Sequence, residues 1–261
     1  MGKGEGMKYI ELEHKEGVAI VKLNRGVINA LNMHVLREMG DVLQDIKDDP
    51  RVCALVITSA NDKFFSIGFD LPELYPLPPQ EFAAFFRTYN FLCLDLYRFP
   101  KPTIAALTGH ATAGGCIMAL CADYRFMADG RRLIGVNEIR LGVPITYLAY
   151  CIFQQLLGEI RTREVVYSGE LYPPQEALQL GMVDQVFVID EVVSAATEKA
   201  SDLGKMLQGA FALDKRLRVR AIEAQVLSYL EEEERVFLAQ WLDPDAQLRL
   251  REAMEKFIPK G

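Results

Sequence analysis

Thr108-Gly-His-Ala-Thr-Ala-Gly-Gly-Cys-Ile-Met-Ala-Leu-Cys121 joins a predicted strand to a predicted helix through a turn rich in glycine. The apolar run Thr103–Leu107 precedes it and indicates a buried strand. Gly109, Gly114 and Gly115 predict the turn, after which an apolar helix begins. A glycine pair at a helix start lets another group approach the backbone and leaves N–H groups free at the positive end of the helix dipole. The pattern fits a site for a negatively charged oxygen, and equally a tight turn that packs small residues in the core.

The composition is that of a large α/β domain. Of the 261 residues, 50% are hydrophobic and 25% are charged, and the net charge of −7 offers no basic surface for a nucleic acid. We therefore expect no nucleic-acid partner. No apolar run has the length of a membrane helix, so we expect no membrane association either. The five cysteines are irregularly spaced in apolar surroundings, which predicts free thiols in the cytoplasm or another reducing compartment. The chain has only three histidines, His14, His34 and His110, which disfavours a multi-histidine metal site, and we expect no metal.

Hydrophobic periodicity predicts alternating strands and helices, followed by a helical end. We predict strands over 9–13, 18–23, 52–58, 103–107, 123–127 and 181–187. We predict helices after a cap at Asn32 and over 81–99, 148–157, 163–167, 172–180 and 190 to the end. We therefore divide the chain into a loose leader (1–8), a core domain (9–189) and a C-terminal helical region (190–261).

Two glycine corners and one acidic loop carry the candidate chemistry. The segment 64–71 is a second strand-to-helix corner, and each corner can offer a backbone N–H, from Phe69 after Gly68 and from Gly114. Two such donors aimed at one point stabilise an enolate or a tetrahedral oxyanion. Glu138, between Asn137 and Ile139 in the loop 137–142, is an acid that could move a proton beside them.

The same segments resemble the crotonase superfamily, also called the enoyl-CoA hydratase/isomerase family. The matching segments are Leu23-Asn-Arg, Asn29-Ala-Leu-Asn32, Phe65-Ser-Ile-Gly-Phe-Asp-Leu71, Lys101-Pro-Thr-Ile-Ala-Ala, Gly109-His-Ala-Thr-Ala-Gly-Gly115, Gly135-Val-Asn-Glu-Ile-Arg-Leu-Gly142 and Glu176-Ala-Leu-Gln-Leu-Gly-Met-Val-Asp184. They follow one another in order and in register from about Tyr9 to Phe257.

The resemblance implies a fold, an assembly and a ligand. The fold would be a ClpP/crotonase-like α/β spiral of ββα units, and 190–261 would support a homotrimer or a dimer of trimers. The ligand would be an acyl-CoA thioester, with coenzyme A as part of the substrate and no separate cofactor. The N–H groups of Phe69 and Gly114 would bind the thioester oxygen, and Lys256 or Lys260 would meet the CoA phosphates. The other candidate substrate-binding residues are Val27, Ser66, Ile67 and Gly68 toward the adenine end, with Asp70, His110, Ala113, Gly115, Ile117, Leu141 and Gly142.

One position departs from the family pattern. Hydratases of this family carry a glutamate three residues past the oxyanion glycine and a second one in the acidic loop. Here the first position is Ile117 and the second is Glu138. Addition of water is easiest with two carboxyls, whereas moving a double bond needs one base. The segments around Glu138 and over 172–181 also resemble Δ3,Δ2-enoyl-CoA isomerases, so we predict an isomerase with Glu138 as its single acid/base.

Other interpretations stay open at this point. A hydratase or another crotonase reaction, such as thioester hydrolysis or decarboxylation, is one alternative, and a non-catalytic acyl-CoA-binding protein is another. Taken alone, Glu138 could be a surface or capping residue, and His110 could either pack in its turn or touch the acyl chain. Asp70 is expected to start a helix, and Trp241 to lie in the core or at a subunit interface.

Overall fold

The computed structural model of the chain describes residues 7–255 and contains two β-sheets. The strands are β1 (Ile10–Lys15), β2 (Val18–Leu23), β3 (Ala54–Ser59), β4 (Phe64–Ser66), β5 (Thr103–Leu107), β6 (His110–Thr112), β7 (Tyr124–Ala128), β8 (Ile134–Gly135) and β9 (Gln185–Phe187). The larger sheet has the order β1-β2-β3-β5-β7-β9, and the smaller one has the order β4-β6-β8. The β1–β2 hairpin is antiparallel, and the other pairings between these strands are parallel.

Helices join and cover these strands. They are α1 (Met33–Asp48), α2 (Leu71–Leu74), α3 (Pro79–Tyr97), α4 (Gly114–Leu120), α5 (Tyr147–Ser168), α6 (Pro174–Leu180), α7 (Val192–Gly204), α8 (Gln208–Trp241) and α9 (Pro244–Glu255), with short 3₁₀ helices at Glu138–Leu141 and Ile189–Glu191. Asn32 caps α1 as predicted, because its side-chain oxygen accepts a hydrogen bond from the N–H of Val35 at 3.0 Å. In the part of the chain described, no helix is both long and apolar enough to cross a membrane.

The chain repeats one step: a strand of the large sheet, a short strand of the small sheet, then a helix. The first repeat is β3, β4 and α2, the second is β5, β6 and α4, and the third is β7, β8 and the 3₁₀ helix Glu138–Leu141 that leads into α5. This arrangement confirms the predicted spiral of ββα units. Because the small-sheet strands have only two or three residues, they are too short to show the period-two pattern by which strands are recognised.

The large sheet is covered on both faces. One face packs against α1, α3, α4 and α5 in the main core, and the other packs against α7. All six residues of β3 are buried, which explains the continuous apolar run in the sequence. The first helix of the C-terminal region is therefore part of the core packing, while its predicted role in trimer formation stays a prediction.

Several elements differ from the sequence expectation. The two helices predicted over 148–157 and 163–167 form one helix, α5, which is kinked where Gly158 adopts φ 72° and ψ 167°. The strand predicted from 181 starts only at Gln185, because Gly181 closes α6 in a left-handed conformation. The acidic loop contains the 3₁₀ helix Glu138–Leu141.

The long helix α8 is anchored to the core by charged groups. Asp123, just before β7, pairs with Lys215 at 2.8 Å and with Arg218 at 2.6 Å, and Lys215 is almost completely buried. Near the other end of α8, Glu234 pairs with Arg87 of α3 at 2.6 Å. These contacts fix the direction of α8, so that its last turns and the following α9 lie over the two glycine corners.

Candidate active site

The two glycine corners touch each other, and this contact builds the centre of the site. A Cβ atom on Gly68 would lie 2.9 Å from the backbone nitrogen of Gly114, and one on Gly115 would lie 2.4 Å from the carbonyl oxygen of Ser66. Gly68 also has a φ of 94°, which favours glycine. Side chains are thus excluded from the contact, and the start of α4 lies directly against the turn before α2.

The contact brings together the two backbone N–H groups that the sequence singled out. Leu31 donates to the Gly68 carbonyl and accepts from the N–H of Asp70, so this pairing does not use the N–H of Phe69. Gly114 is the first residue of α4, where the N–H has no partner inside the helix. Within residues 7–255, neither of these N–H groups has a hydrogen-bond acceptor. The pair is available to an oxygen of a ligand, as an oxyanion hole requires.

The backbone at this point is held in an unusual conformation. Ala113, which precedes Gly114, has φ 49° and ψ −129°, a region that costs a non-glycine residue about 1–3 kcal/mol. Tyr89 of α3 braces both corners. Its hydroxyl donates to the Gly114 carbonyl at 2.7 Å, and its ring packs edge-on against Phe69 with centroids 4.9 Å apart. The sequence offered no signal for Tyr89, which lies on a helix face among other buried aromatic residues.

Glu138 lies at the start of the 3₁₀ helix, and its carboxyl group is buried. Its exposed fraction is 8%, and within the described residues its Oε2 atom has no hydrogen-bond partner. Burial raises the pKa of Glu138 from 4.5 to about 7, although the backbone N–H groups of Glu138 and Asn137 oppose part of that rise. The interpretation of Glu138 as a surface residue is therefore wrong. A carboxyl with a pKa near neutrality can both take and return a proton.

Both corners and Glu138 border one apolar cavity of about 440 Å³. Of the candidate residues, those that line it are Ile67, Phe69, Asp70, His110, Ala113, Gly114, Ile117, Glu138 and Leu141. Ile117 is almost fully buried and occupies the wall that hydratases of the resembled family would fill with their first glutamate. Glu138 thus faces a largely apolar space, which accounts for the desolvation that raises its pKa.

Five other candidates do not line the cavity. Ser66 is buried, donates to the carbonyl of Asn29 at 2.7 Å and accepts from the N–H of Gly68 at 3.1 Å. Gly68 and Gly115 form the contact between the corners, Val27 is 55% exposed, and Gly142 caps the 3₁₀ helix. Their proposed ligand contacts stay predictions. Lys256 and Lys260 lie outside the described residues.

Two polar candidates have structural partners as well as a place on the cavity. Asp70 caps α2, as expected, and forms an ion pair with Arg25 at 2.6 Å. His110 accepts a hydrogen bond from the N–H of Leu133 on Nδ1, so its neutral form carries the proton on Nε2. Burial, followed by the charge of Arg132, lowers the pKa of His110 and keeps it neutral near pH 7. His110 therefore both packs in its turn and borders the cavity.

The C-terminal helices supply a part of the wall that sequence reasoning missed. Phe237 and Trp241 from α8, together with Leu250 and Ala253 from α9, line the cavity. Trp241 is buried and stacks on Phe82 with centroids 4.0 Å apart, which confirms the expectation of a core position. Across residues 7–255, no three His, Cys, Asp or Glu side chains are grouped so as to hold a metal ion.

Comparison with known proteins gives one consistent result. The model of the family described as enoyl-CoA hydratase/isomerase matches residues 13–261. Enoyl-CoA delta isomerase 1 of Rattus norvegicus is 34% identical over 188 residues, a match that covers 72% of this chain and 65% of the rat protein. The short-chain-enoyl-CoA hydratase of Clostridium acetobutylicum is 29% identical over 250 residues, covering 95% of this chain and 94% of that protein. The crystal structure of human mitochondrial delta3-delta2-enoyl-CoA isomerase superposes with a TM-score of 0.90 at 27% identity, covering 95% of this chain and 98% of that one.

Proposed function

The chain belongs to the enoyl-CoA hydratase/isomerase family, and from that premise we propose that it moves the double bond of a 3-enoyl-CoA thioester to the 2-trans position. The observation that carries this proposal is the buried carboxyl group of Glu138, whose Oε2 atom has no hydrogen-bond partner within residues 7–255, on an apolar cavity where Ile117 stands in place of a second glutamate. The substrate is an acyl-CoA thioester, and coenzyme A enters with it rather than as a separate cofactor.

The proposed reaction uses Glu138 twice. The carboxylate takes a proton from C2 of the 3-enoyl group, and the electron pair moves into a dienolate whose charge lies largely on the thioester oxygen. The N–H groups of Phe69 and Gly114 stabilise that oxygen. The protonated Glu138 then returns the proton at C4, and the double bond closes between C2 and C3. One proton leaves and one returns, so no second acid and no redox partner is needed.

The apolar surroundings favour this reaction over hydration. A water molecule that adds across a double bond needs a base to hold it and an acid to complete the addition. Apart from Glu138, the acidic residue among those that line the cavity is Asp70, which is paired with Arg25 and caps α2. Ile117 offers no hydrogen bond to water. Glu138 can therefore transfer the proton between C2 and C4, but it has no second carboxyl group to help it add water.

Hydration is the second candidate, because a relative named as a hydratase matches this chain over almost its whole length. The two reactions are separated by one paired assay, with a 3-enoyl-CoA for isomerisation and a 2-trans-enoyl-CoA for hydration. We expect isomerisation to be much faster. Hydration at a comparable rate would contradict the role given to Ile117, and binding without turnover of either substrate would favour a non-catalytic acyl-CoA-binding protein.

The Glu138→Gln variant tests the base directly. It keeps the shape of the side chain and removes the proton-transferring carboxylate, so isomerisation should fall by about 10²-fold or more. Glu170→Gln is a matched control, because Glu170 lies on the surface and pairs with Arg140. Full activity in the Glu138 variant would refute the assignment.

We extend the proposal to the assembly and the compartment. Apolar side chains on the outer side of α8, including Leu213, Leu217 and Tyr229, are about half exposed or more, which supports a homotrimer or a dimer of trimers. All five cysteines are free, which supports a reducing compartment such as the cytoplasm. Light scattering on the purified protein tests the first point, and a monomer at micromolar concentration would contradict it.

A further inference from the structure

A second, smaller cavity of about 90 Å³ adjoins the first one. It is bordered by α3, the segment before α5, and α8, and the residues that line it are Phe86, Asn90, Pro144, Ile145, Thr146, Tyr147, Leu148, Val226, Leu230, Glu233, Val236 and Phe237. Four of these residues, namely Phe86, Pro144, Thr146 and Phe237, also line the large cavity. These four residues form the wall between the two spaces.

The aromatic half of this wall is a stacked pair. The rings of Phe86 and Phe237 are nearly parallel, with centroids 3.9 Å apart, and both side chains are buried. Phe86 belongs to α3 and Phe237 to α8, and the Arg87–Glu234 ion pair joins the same two helices nearby. This aromatic half of the wall is therefore held by packing between two helices.

The other half of the wall continues directly from the base. Along the chain from Glu138, Leu141, Val143 and Pro144 line the large cavity one after another, and Pro144 reaches the wall. On the opposite side, the ring of Phe69 lies 6.4 Å from that of Phe86. A substrate whose thioester oxygen is held at Phe69 and Gly114, with C2 and C4 beside Glu138, therefore extends its remaining carbons toward the stacked rings.

We propose that the stacked rings of Phe86 and Phe237 are the specificity-determining end of the acyl site, which limits the length of the acyl chain. The inference rests on the proposed function in one respect, namely that an acyl-CoA thioester occupies the large cavity. A chain that ends before the rings fills the apolar space, whereas a longer chain has to displace them. Beyond the wall, the second cavity opens to the surface, since Val236 on its border is 45% exposed. Removing the Phe237 ring joins the two spaces and gives a longer chain a way out.

Binding of saturated acyl-CoA thioesters tests this without any turnover. Calorimetry gives the Kd of the full-length protein for a series from butanoyl-CoA to hexadecanoyl-CoA. In the wild type, affinity should rise with chain length and then fall. In Phe237→Ala the fall should disappear, so that the ratio of long-chain to medium-chain affinity increases by about tenfold or more, the order of effect that one methylene has in a closed apolar pocket.

Two further variants keep the test decisive. Leu230 lines the second cavity but not the first, so Leu230→Ala should leave the chain-length profile unchanged. Phe237→Ala removes a large buried ring, which typically costs about 3–5 kcal/mol of stability. If that variant does not fold, Phe237→Leu carries the test, with the same direction and a smaller ratio.

The outcomes separate this inference from the proposed reaction. A folded Phe237 variant with the wild-type chain-length profile overturns the inference, as does a profile shifted equally by Leu230→Ala. A shifted profile in a protein that does not isomerise 3-enoyl-CoA supports the wall and refutes the proposed reaction. If the wild type binds no acyl-CoA at all, both are overturned.

Discussion

Replacing Glu138 with glutamine should stabilise the folded protein at alkaline pH while it lowers the proposed activity by about 10²-fold or more. The carboxyl group is buried on an apolar cavity, and its Oε2 atom has no partner among the described residues. Ionising it in the folded state is therefore unfavourable, and glutamine has the same shape without the charge. At position 138, the carboxylate that the proposed reaction needs would then lower the stability of the folded protein.

The size of the effect follows from the pKa. The pKa of Glu138 rises from 4.5 in the unfolded chain to about 7 in the folded protein, and each unit corresponds to about 1.4 kcal/mol. Ionised Glu138 thus lowers the free energy of unfolding by about 3 kcal/mol. Between pH 4.5 and 7 the folded protein binds a proton that the unfolded chain has lost, so stability falls as the pH rises through this window and stays lower above it.

Urea unfolding of wild type and Glu138→Gln at pH 5 and pH 8 measures this contribution. All other titrating groups are common to both proteins, so they cancel in the difference between the two free energies of unfolding. That difference should move in favour of the variant by roughly 2–3 kcal/mol between pH 5 and pH 8. Glu170→Gln, on the surface, should show no such trend. A Glu138→Gln difference that is the same at both pH values would refute the argument that burial sets this pKa.

The remaining predictions concern rate, reaction type and packing. The kcat/KM for isomerisation should rise with pH and reach half its maximum near pH 7, where Glu138 loses its proton, and a flat profile between pH 6 and 8 would contradict this. Tyr89→Phe should lower kcat about tenfold with KM nearly unchanged, because it loosens the oxyanion corner, and a change in KM alone would contradict the bracing role. Ile117→Glu should raise the ratio of hydration to isomerisation, with Ile117→Leu as the control, and an unchanged ratio would show that a second carboxyl is not what hydration lacks. Gly115→Ala should destabilise the protein by about 3 kcal/mol in urea unfolding, because its Cβ would meet the Ser66 carbonyl, and wild-type stability would contradict that contact.

The predicted elements of the fold were those with strong local signals. Asn32 and the apolar face of α1, the buried run of β3 and the glycine pair at the start of α4 are each determined by neighbouring residues. The strand β6 was missed because three residues cannot show a period. The join across Gly158 was missed because a glycine in that position usually ends a helix.

The backbone corners of the candidate site could be predicted from the sequence, whereas most of the side chains that line its cavity could not. Gly68 and Gly114 carry a turn signal of their own, so their corners could be found without a structure. Phe237 lies about a hundred residues after Glu138 in the sequence. Its helical spacing predicts a buried position but does not identify the residues that it packs against. The pKa of Glu138 could not be predicted either, because it depends on the apolar surfaces that only the folded chain assembles.

Trp241 is an intrinsic fluorescent probe of the large cavity. It is the one tryptophan of the chain, it borders the large cavity, and its ring stacks on Phe82. All intrinsic tryptophan emission therefore originates at the wall of the large cavity. A ligand that enters changes the polarity and the stacking around the single tryptophan, so stopped-flow fluorescence with selective tryptophan excitation can follow ligand binding and release with no label and no second tryptophan signal.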